Sequence, residues 1–217
     1  MTTDESVEGC DFICLNFVGA DPNGADRSVA DCVADAKAVA EVVTKPIVVM
    51  GCKNVEKDSE LLPALAEALT GKNVLVMSAK NENYKTVGAS VVLANGQKVG
   101  AETADDINLA KQMNIMLKGL NVNPENVVMD IGTAAVGYGY EYAASTFDRI
   151  RLAALQQSDA DLQMPILATV CNGPSWPLSA MTPGASRNPP LLKKTSPHGA
   201  AAKSAQSAWK SPPPLLT

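Results

Sequence analysis

The chain has 217 residues, with 18 basic and 23 acidic side chains, a net charge of −5 and an isoelectric point near 4.9. That balance argues against nucleic acid and anionic membrane surfaces as main partners, since both select basic patches. Although 46% of the residues are hydrophobic, no apolar run reaches the roughly 18 residues of a spanning helix, and the acidic, polar opening shows no secretory pattern.

Residues 1–9 read as a flexible, polar N-terminus of a cytoplasmic protein. From there to Cys171 one rhythm repeats six times: a short apolar run ends in a loop of Asn, Asp, Ser, Thr and Gly, and a helical pattern follows. Strands alternating with helices specify parallel pairing, because a strand returns parallel to its neighbour only through a crossover.

The first strand is expected at Asp11–Asn16, and the helix after it spans Arg27 to Val43 with Val29, Val33, Ala36, Ala40 and Val43 on one face. The second strand, Pro46–Met50, precedes a helix carrying Leu61, Leu62, Leu65 and Leu69, capped by Asp58 or Ser59 and stopped at Gly71. Strands follow at Asn73–Ser78 and Lys98–Glu102. The next helix takes Asp105 as its cap, Ile107, Ala110, Met113 and Leu117 as its buried stripe and Gly119 as its stop. Asn126–Asp130 and Pro165–Val170 complete six strands. Each is continuously apolar rather than alternating, the pattern of strands covered on both faces.

Composition breaks after Cys171. Residues 172–217 hold no Asp or Glu, 9 of the 14 prolines, both tryptophans and the only histidine. Such a segment buries too little apolar surface to offset chain entropy, so a disordered tail is predicted. The run Ala200–Thr217 also back-translates into an amphipathic helical sequence in another register, which raises a shifted reading frame as the origin of the tail; the nucleotide sequence decides that.

The body's chemistry is defined partly by what it lacks. Without a histidine before the tail there is no Ser-His-Asp or Cys-His arrangement, and the glycines match neither a Walker loop nor a dinucleotide fingerprint. Five cysteines without a Cys-x-x-Cys pair give no iron–sulfur or zinc site in this chain. Cys10, Cys14 and Cys32 read as buried thiols, and Cys52 as a small loop residue ahead of a reactive one.

What the loops supply instead is neutral donors and acceptors at the carboxyl ends of strands, where parallel sheets bind ligands: Asn16, Asn54, Ser78, Asn81, Asn83, Thr103, Asn108, Thr133 and Thr169. Such a rim suits a large ligand edged with amides. Asp130 is placed either to contact ligand or to form a turn, and Gly137-Tyr138-Gly139 permits close backbone approach to a flat macrocycle.

Six segments in one order carry a resemblance: Asp21-Pro22-Asn23-Gly24-Ala25; Gly51-Cys52-Lys53-Asn54-Val55-Glu56-Lys57-Asp58; Asn83-Tyr84-Lys85; Asp106-Ile107-Asn108-Leu109-Ala110-Lys111-Gln112; Gly137-Tyr138-Gly139-Tyr140-Glu141-Tyr142; and Arg149-Ile150-Arg151-Leu152 with Met164-Pro165. Over residues 10–171 the chain resembles the small (delta) subunit of the corrinoid iron–sulfur protein, in the CO dehydrogenase/acetyl-CoA synthase system.

The resemblance implies an α/β TIM-barrel-type fold, here incomplete with about six βα units, followed by the disordered tail. It implies a heterodimer with a larger subunit that carries the iron–sulfur cluster, with a corrinoid (cobamide) held between the two. Its cobalt would take a methyl group from a methyltetrahydropterin through a separate methyltransferase and pass it to acetyl-CoA synthase, in the reductive acetyl-CoA (Wood–Ljungdahl) pathway. No catalytic and no metal-ligating residue is expected in this chain. The cofactor-binding expectation falls on Asn54, Asn81, Asn83, Asn108, Asp130, Gly132, Thr133, Gly137, Gly139 and Thr169. A barrel closes with eight strands, so six predict a marginal, partner-dependent or aggregation-prone product. Two alternatives stand beside this reading: a pterin-binding TIM-barrel methyltransferase using Asp130, Asn81 and Asn108, and a nonfunctional product of a damaged delta-subunit gene.

Overall fold

The structure, a computed structural model, describes residues 11–132 and 139–168. The predicted tail, the reading-frame question and Cys10 lie outside those residues, as do Thr133, Gly137 and Thr169 of the expected site. Six strands form one parallel sheet in strict chain order: β1 (Ile13–Asn16), β2 (Ile47–Met50), β3 (Val74–Ala79), β4 (Lys98–Glu102), β5 (Val127–Asp130) and β6 (Ile166–Leu167). The expected strand positions hold, with ends that coincide or move by one or two residues where described.

Between them lie α1 (Val29–Val42), α2 (Val55–Ala68), α3 (Tyr84–Gly88) with a π-helical turn at Ala89–Ala94, α4 (Ile107–Gly119) and α5 (Tyr140–Gln156). A sheet whose strands follow in sequence is wound in one direction, which puts its helices on one face. The large core cluster records this, joining Leu15, Val49, Val76 and Met129 of the strands to Ala36, Leu61, Leu65, Leu117 and Ile150 of the helices. Among the described residues, the other face has only itself for cover. A second cluster of Val48, Met50, Leu75, Met77 and Val128 occupies it, with Leu167 packed against them. The sheet accordingly curls as half a barrel.

Burial on both faces explains why β2, β3 and β5 are apolar at every position but Ser78, next to last in β3, and Asp130, the last of β5. Strand β1 differs. Its outer residue Leu15 is buried, while Cys14 and Asn16, in register with the inner-facing Val48 and Met50, are exposed. Cys14 is therefore not the buried thiol expected from sequence, whereas Cys32 on α1 is. The reason is position: among the described residues β1 pairs only with β2, so its inner face is not enclosed.

Two caps also differ from expectation. Helix α2 begins four residues before Ser59, because Asn54 accepts the Lys57 amide at 3.1 Å, and α4 is capped by Asp106, which takes the Asn108 amide at 2.6 Å, rather than by its neighbour Asp105. Helix α1 is capped by Ser28, whose hydroxyl accepts the Asp31 amide at 3.1 Å. These oxygens satisfy amides that a helix start leaves unpaired.

Candidate functional site at the carboxyl ends of the strands

Parallel strands in sequential order bring all their carboxyl ends to one rim, and the loops leaving that rim are held by their own side chains. After β2, Gly51 donates to the Met77 carbonyl at 3.0 Å. Asp58, only 4% exposed on the first turns of α2, then accepts the amides of Cys52 at 2.8 Å and Lys53 at 3.0 Å. The loop packs so closely that a Cβ on Gly51 would collide with the Asp58 carboxylate. Lys53 is held at φ 73, in the left-handed region that costs a side-chain-bearing residue energy and persists only where surroundings impose it.

From that loop the Lys53 ammonium reaches Glu102, the last residue of β4, at 2.7 Å. The Lys80 ammonium, beyond the end of β3, donates to the Lys53 carbonyl at 3.2 Å. One clasp thus crosses the ends of three neighbouring strands. Burial by itself would raise the Glu102 pKa, but the Lys53 hydrogen bond, the nearby Ser78 and the charges of Lys53 and Lys80 carry it below the ordinary glutamate value. Ser78 acts there by proximity, since its buried Oγ lacks the geometry of a formed hydrogen bond.

After β3, Lys80 and Asn83 close a tight turn: the Asn83 side chain accepts the Lys80 amide at 2.8 Å, and the Asn83 amide donates to the Lys80 carbonyl at 3.1 Å. After β4, Thr103 donates its amide to the Asp130 carbonyl at 2.9 Å. Asp130, in register with Glu102 and buried, accepts the Gly132 amide at 3.1 Å, with Gly132 at φ 75. Gly139, at φ 108, starts α5.

A cavity of about 340 Å³ opens at this rim between the ends of β3 and β4 and helix α4. Lys80, Asn81, Glu102 and Thr103 line its polar side, and Leu109, Met113 and Met116 its apolar side. Its size lies at the low end for small-molecule sites. The buried Thr103 hydroxyl and the Asn83 Nδ2, on a residue 3% exposed, have no hydrogen-bond partner. Buried polar atoms left unpaired are uncommon and point to a missing partner.

The expected site residues divide by role. Asn81 is exposed and lines the cavity; Asn54, Asn83 and Asp130 shape the rim through local hydrogen bonds. Asn108 is exposed on the first turn of α4, and Gly132 and Gly139 flank the segment outside the described residues. Tyr142 is 69% exposed and anchors nothing by burial. The sequence reading did not include Lys53, Lys80 and Glu102; strand alternation from Gly100 places Glu102 on the inner face beside Asp130, and that signal was present. Burial raises the Cys52 thiol to about 11, so at neutral pH it is a protonated packing residue. No cluster of three or more His, Cys, Asp or Glu suited to a metal occurs among the described residues, and no helix among them is long and apolar enough to cross a membrane.

Comparison with known proteins adds a family pattern. A family model described as the CO dehydrogenase/acetyl-CoA synthase delta subunit matches residues 4–182. The acetyl-CoA decarbonylase/synthase complex subunit delta of Methanothermobacter thermautotrophicus is 33% identical over 165 residues, covering 76% of this chain and 42% of the relative. The subunit of the same name from Archaeoglobus fulgidus is 34% identical over 76% of this chain and 36% of its own length. Subunit delta 2 of Methanosarcina acetivorans is 33% identical over 78% and 40%, respectively. The chain spans about two fifths of the length of the curated relatives it matches.

Proposed function

The chain belongs to the CO dehydrogenase/acetyl-CoA synthase delta subunit family, and we propose that it serves the acetyl-CoA decarbonylase/synthase complex in the cytoplasm as a methyl-carrier subunit, its strand-end rim forming one wall of a cobamide site. The observation that carries this reading is the convergence of all six strand ends on one rim of the half-barrel sheet, edged by Asn, Thr and Lys side chains. A larger corrinoid iron–sulfur subunit supplies the opposite wall and the cluster, and the methyltransferase and acetyl-CoA synthase visit transiently.

The residues present fit such a ligand. Thr103 and Asn83 carry buried polar atoms without partners, Asn81 offers an exposed amide, and the loop glycines Gly132 and Gly139 allow close backbone approach. Lys53, Lys80, Asn81, Glu102 and Thr103 would hold the group's edge, supported by Asn54, Asn83 and Asp130 behind them. Asn108, Thr133, Gly137 and Thr169 belong to the same proposed contact set. When bound, a cobamide supplies a cobalt centre that accepts and gives up a methyl group. This chain's part is to orient the ring and exclude water, with no acid–base step of its own.

Co-expression with a corrinoid iron–sulfur large subunit tests the reading: cobamide retained by the purified pair and by neither chain alone is the expected result. Methyltetrahydrofolate binding by this chain by itself, without cobamide retention by the pair, would replace it with a pterin-dependent methyltransferase.

A further inference from the structure

The 340 Å³ cavity beside Glu102 is far smaller than a corrin macrocycle with its substituents, so it has room for an arm of such a ligand and not for its ring. Its walls are of two kinds. Leu109 and Met116 form an apolar side that suits a short alkyl chain, and Lys80, Asn81, Glu82, Glu102, Thr103 and Gln112 stand on the polar side. A carboxamide at the end of an alkyl arm needs donors for its oxygen and an acceptor for its nitrogen. Thr103 and Asn81 are the donors, and the Thr103 hydroxyl is buried with no partner. Glu102 is the acceptor.

We propose that this cavity is a subsite for one peripheral carboxamide arm of the cobamide, in which the juxtaposition of Glu102 with Thr103 selects the neutral amide over the corresponding carboxylate; the inference rests on the corrinoid reading of the rim. A carboxylate in the same place brings no N–H to Glu102 and sets like charges together. Sites built to hydrogen-bond an N–H discriminate strongly against analogues that lack it. The Lys80 ammonium, the group that would favour an acid, is drawn toward the Lys53 carbonyl at 3.2 Å and shares its charge with Glu102. Glu102 stays ionised through the 2.7 Å contact from Lys53.

The test titrates cobalamin, and separately its monocarboxylic acids, in each of which one peripheral carboxamide is hydrolysed, into the full chain, alone and mixed with a corrinoid iron–sulfur large subunit. Bound corrinoid is read from its visible spectrum and from calorimetry. One monoacid is expected to bind at least tenfold more weakly than cobalamin, and Glu102→Gln to bring that ratio within about threefold. Leu109→Trp fills the cavity from an exposed position, so it is expected to weaken cobalamin at least tenfold with an unchanged thermal melt. If cobalamin binds but every monoacid binds equally, or Leu109→Trp binds as the wild type does, the subsite is overturned while the corrinoid reading stands. If cobalamin is retained by neither the chain nor the mixture, both fall together.

Discussion

At the level of single residues, the Asp58 carboxylate organises the loop after β2 by accepting two backbone amides, Cys52 at 2.8 Å and Lys53 at 3.0 Å, together with the Cys52 thiol at 3.2 Å. Removing it with Asp58→Ala strands two donors in a buried place, at a cost of about 2–4 kcal/mol, measurable by urea denaturation. Gly51→Ala presses a methyl group into the same carboxylate and is expected to cost about 1–3 kcal/mol, the range of overpacked cores; a variant as stable as wild type would show that the loop yields freely. The thiol gives an independent readout. With the Cys52 pKa raised to about 11 from an ordinary 9.0, its thiolate population at pH 8 is about a hundredfold below that of an unshifted cysteine. Iodoacetamide mapping should therefore label the exposed Cys14 well before Cys52, and Asp58→Ala should narrow the gap by loosening the loop. For the same group, stability is complete below pH 9.0 and is lost as pH rises toward about 11, because the folded state favours the protonated form.

Between elements, the Lys53–Glu102 pair links the loop after β2 to the end of β4. A glutamate with its folded pKa below the ordinary 4.5 contributes stability above that value and loses it as pH falls through the folded pKa. Lys53→Met removes the main opposing partner and leaves burial, which pushes the other way. Its acid-unfolding midpoint should move up by about half a pH unit, with a loss at neutral pH of about 0.5–1 kcal/mol, small because both groups are partly exposed. Circular dichroism across pH 3–7 checks both figures, and an unmoved midpoint would show that Lys53 does not set the Glu102 charge. Elements of this kind were legible in sequence to different depths. The strands were clear because burial on both faces demands continuous apolar runs, as in Ile47–Met50 and Val74–Met77. The start of α2 was displaced because Asn54 and Asp58, four residues apart, are both capping types, and the buried Asp58 serves the preceding loop instead. Asp105 and Asp106 are chemically alike, and only backbone geometry decides between them. Tyr84–Ala94 gave no bounds because a five-residue helix running into a π-helical turn has no sustained 3.6-residue stripe. Within the site, the amides of the loops were found as residue types, whereas their use was hidden: Asn54 and Asn83 spend their side-chain oxygens on local backbone. The Lys80–Lys53–Glu102 clasp depends on residues up to 49 apart in sequence, a relation that no local pattern carries.

Across the whole molecule, the sequential sheet makes cohesion uneven. Strand β3 is buried at all six positions and pairs with both β2 and β4, so opening it breaks two ladders and disturbs both hydrophobic clusters at once. Strand β6 has two half-buried residues and, among the described residues, pairs with β5 alone. The turn before it is secured by ion pairs from α4, Lys111 to Asp159 at 2.6 Å and Lys118 to Asp161 at 3.2 Å, and the first of these holds the Asp159 pKa below the ordinary aspartate value. Exposed pairs of that kind add little, so they steady the turn without making β6 as resistant as the centre. Local opening free energies follow the apolar contacts an opening must break. Hydrogen exchange should thus protect the amides of Val74–Met77 at least about a hundredfold more than those of Ile166 and Leu167, a gap of about 3 kcal/mol. Addition of salt should leave the protection of β3 almost unchanged, since its cohesion is apolar, and should speed β6 by screening its two flanking pairs. Equal protection of all six strands would mean that the half-barrel opens as one unit, with the inner cluster of Val48, Met50, Leu75, Met77 and Val128 coupling its ends as strongly as its middle.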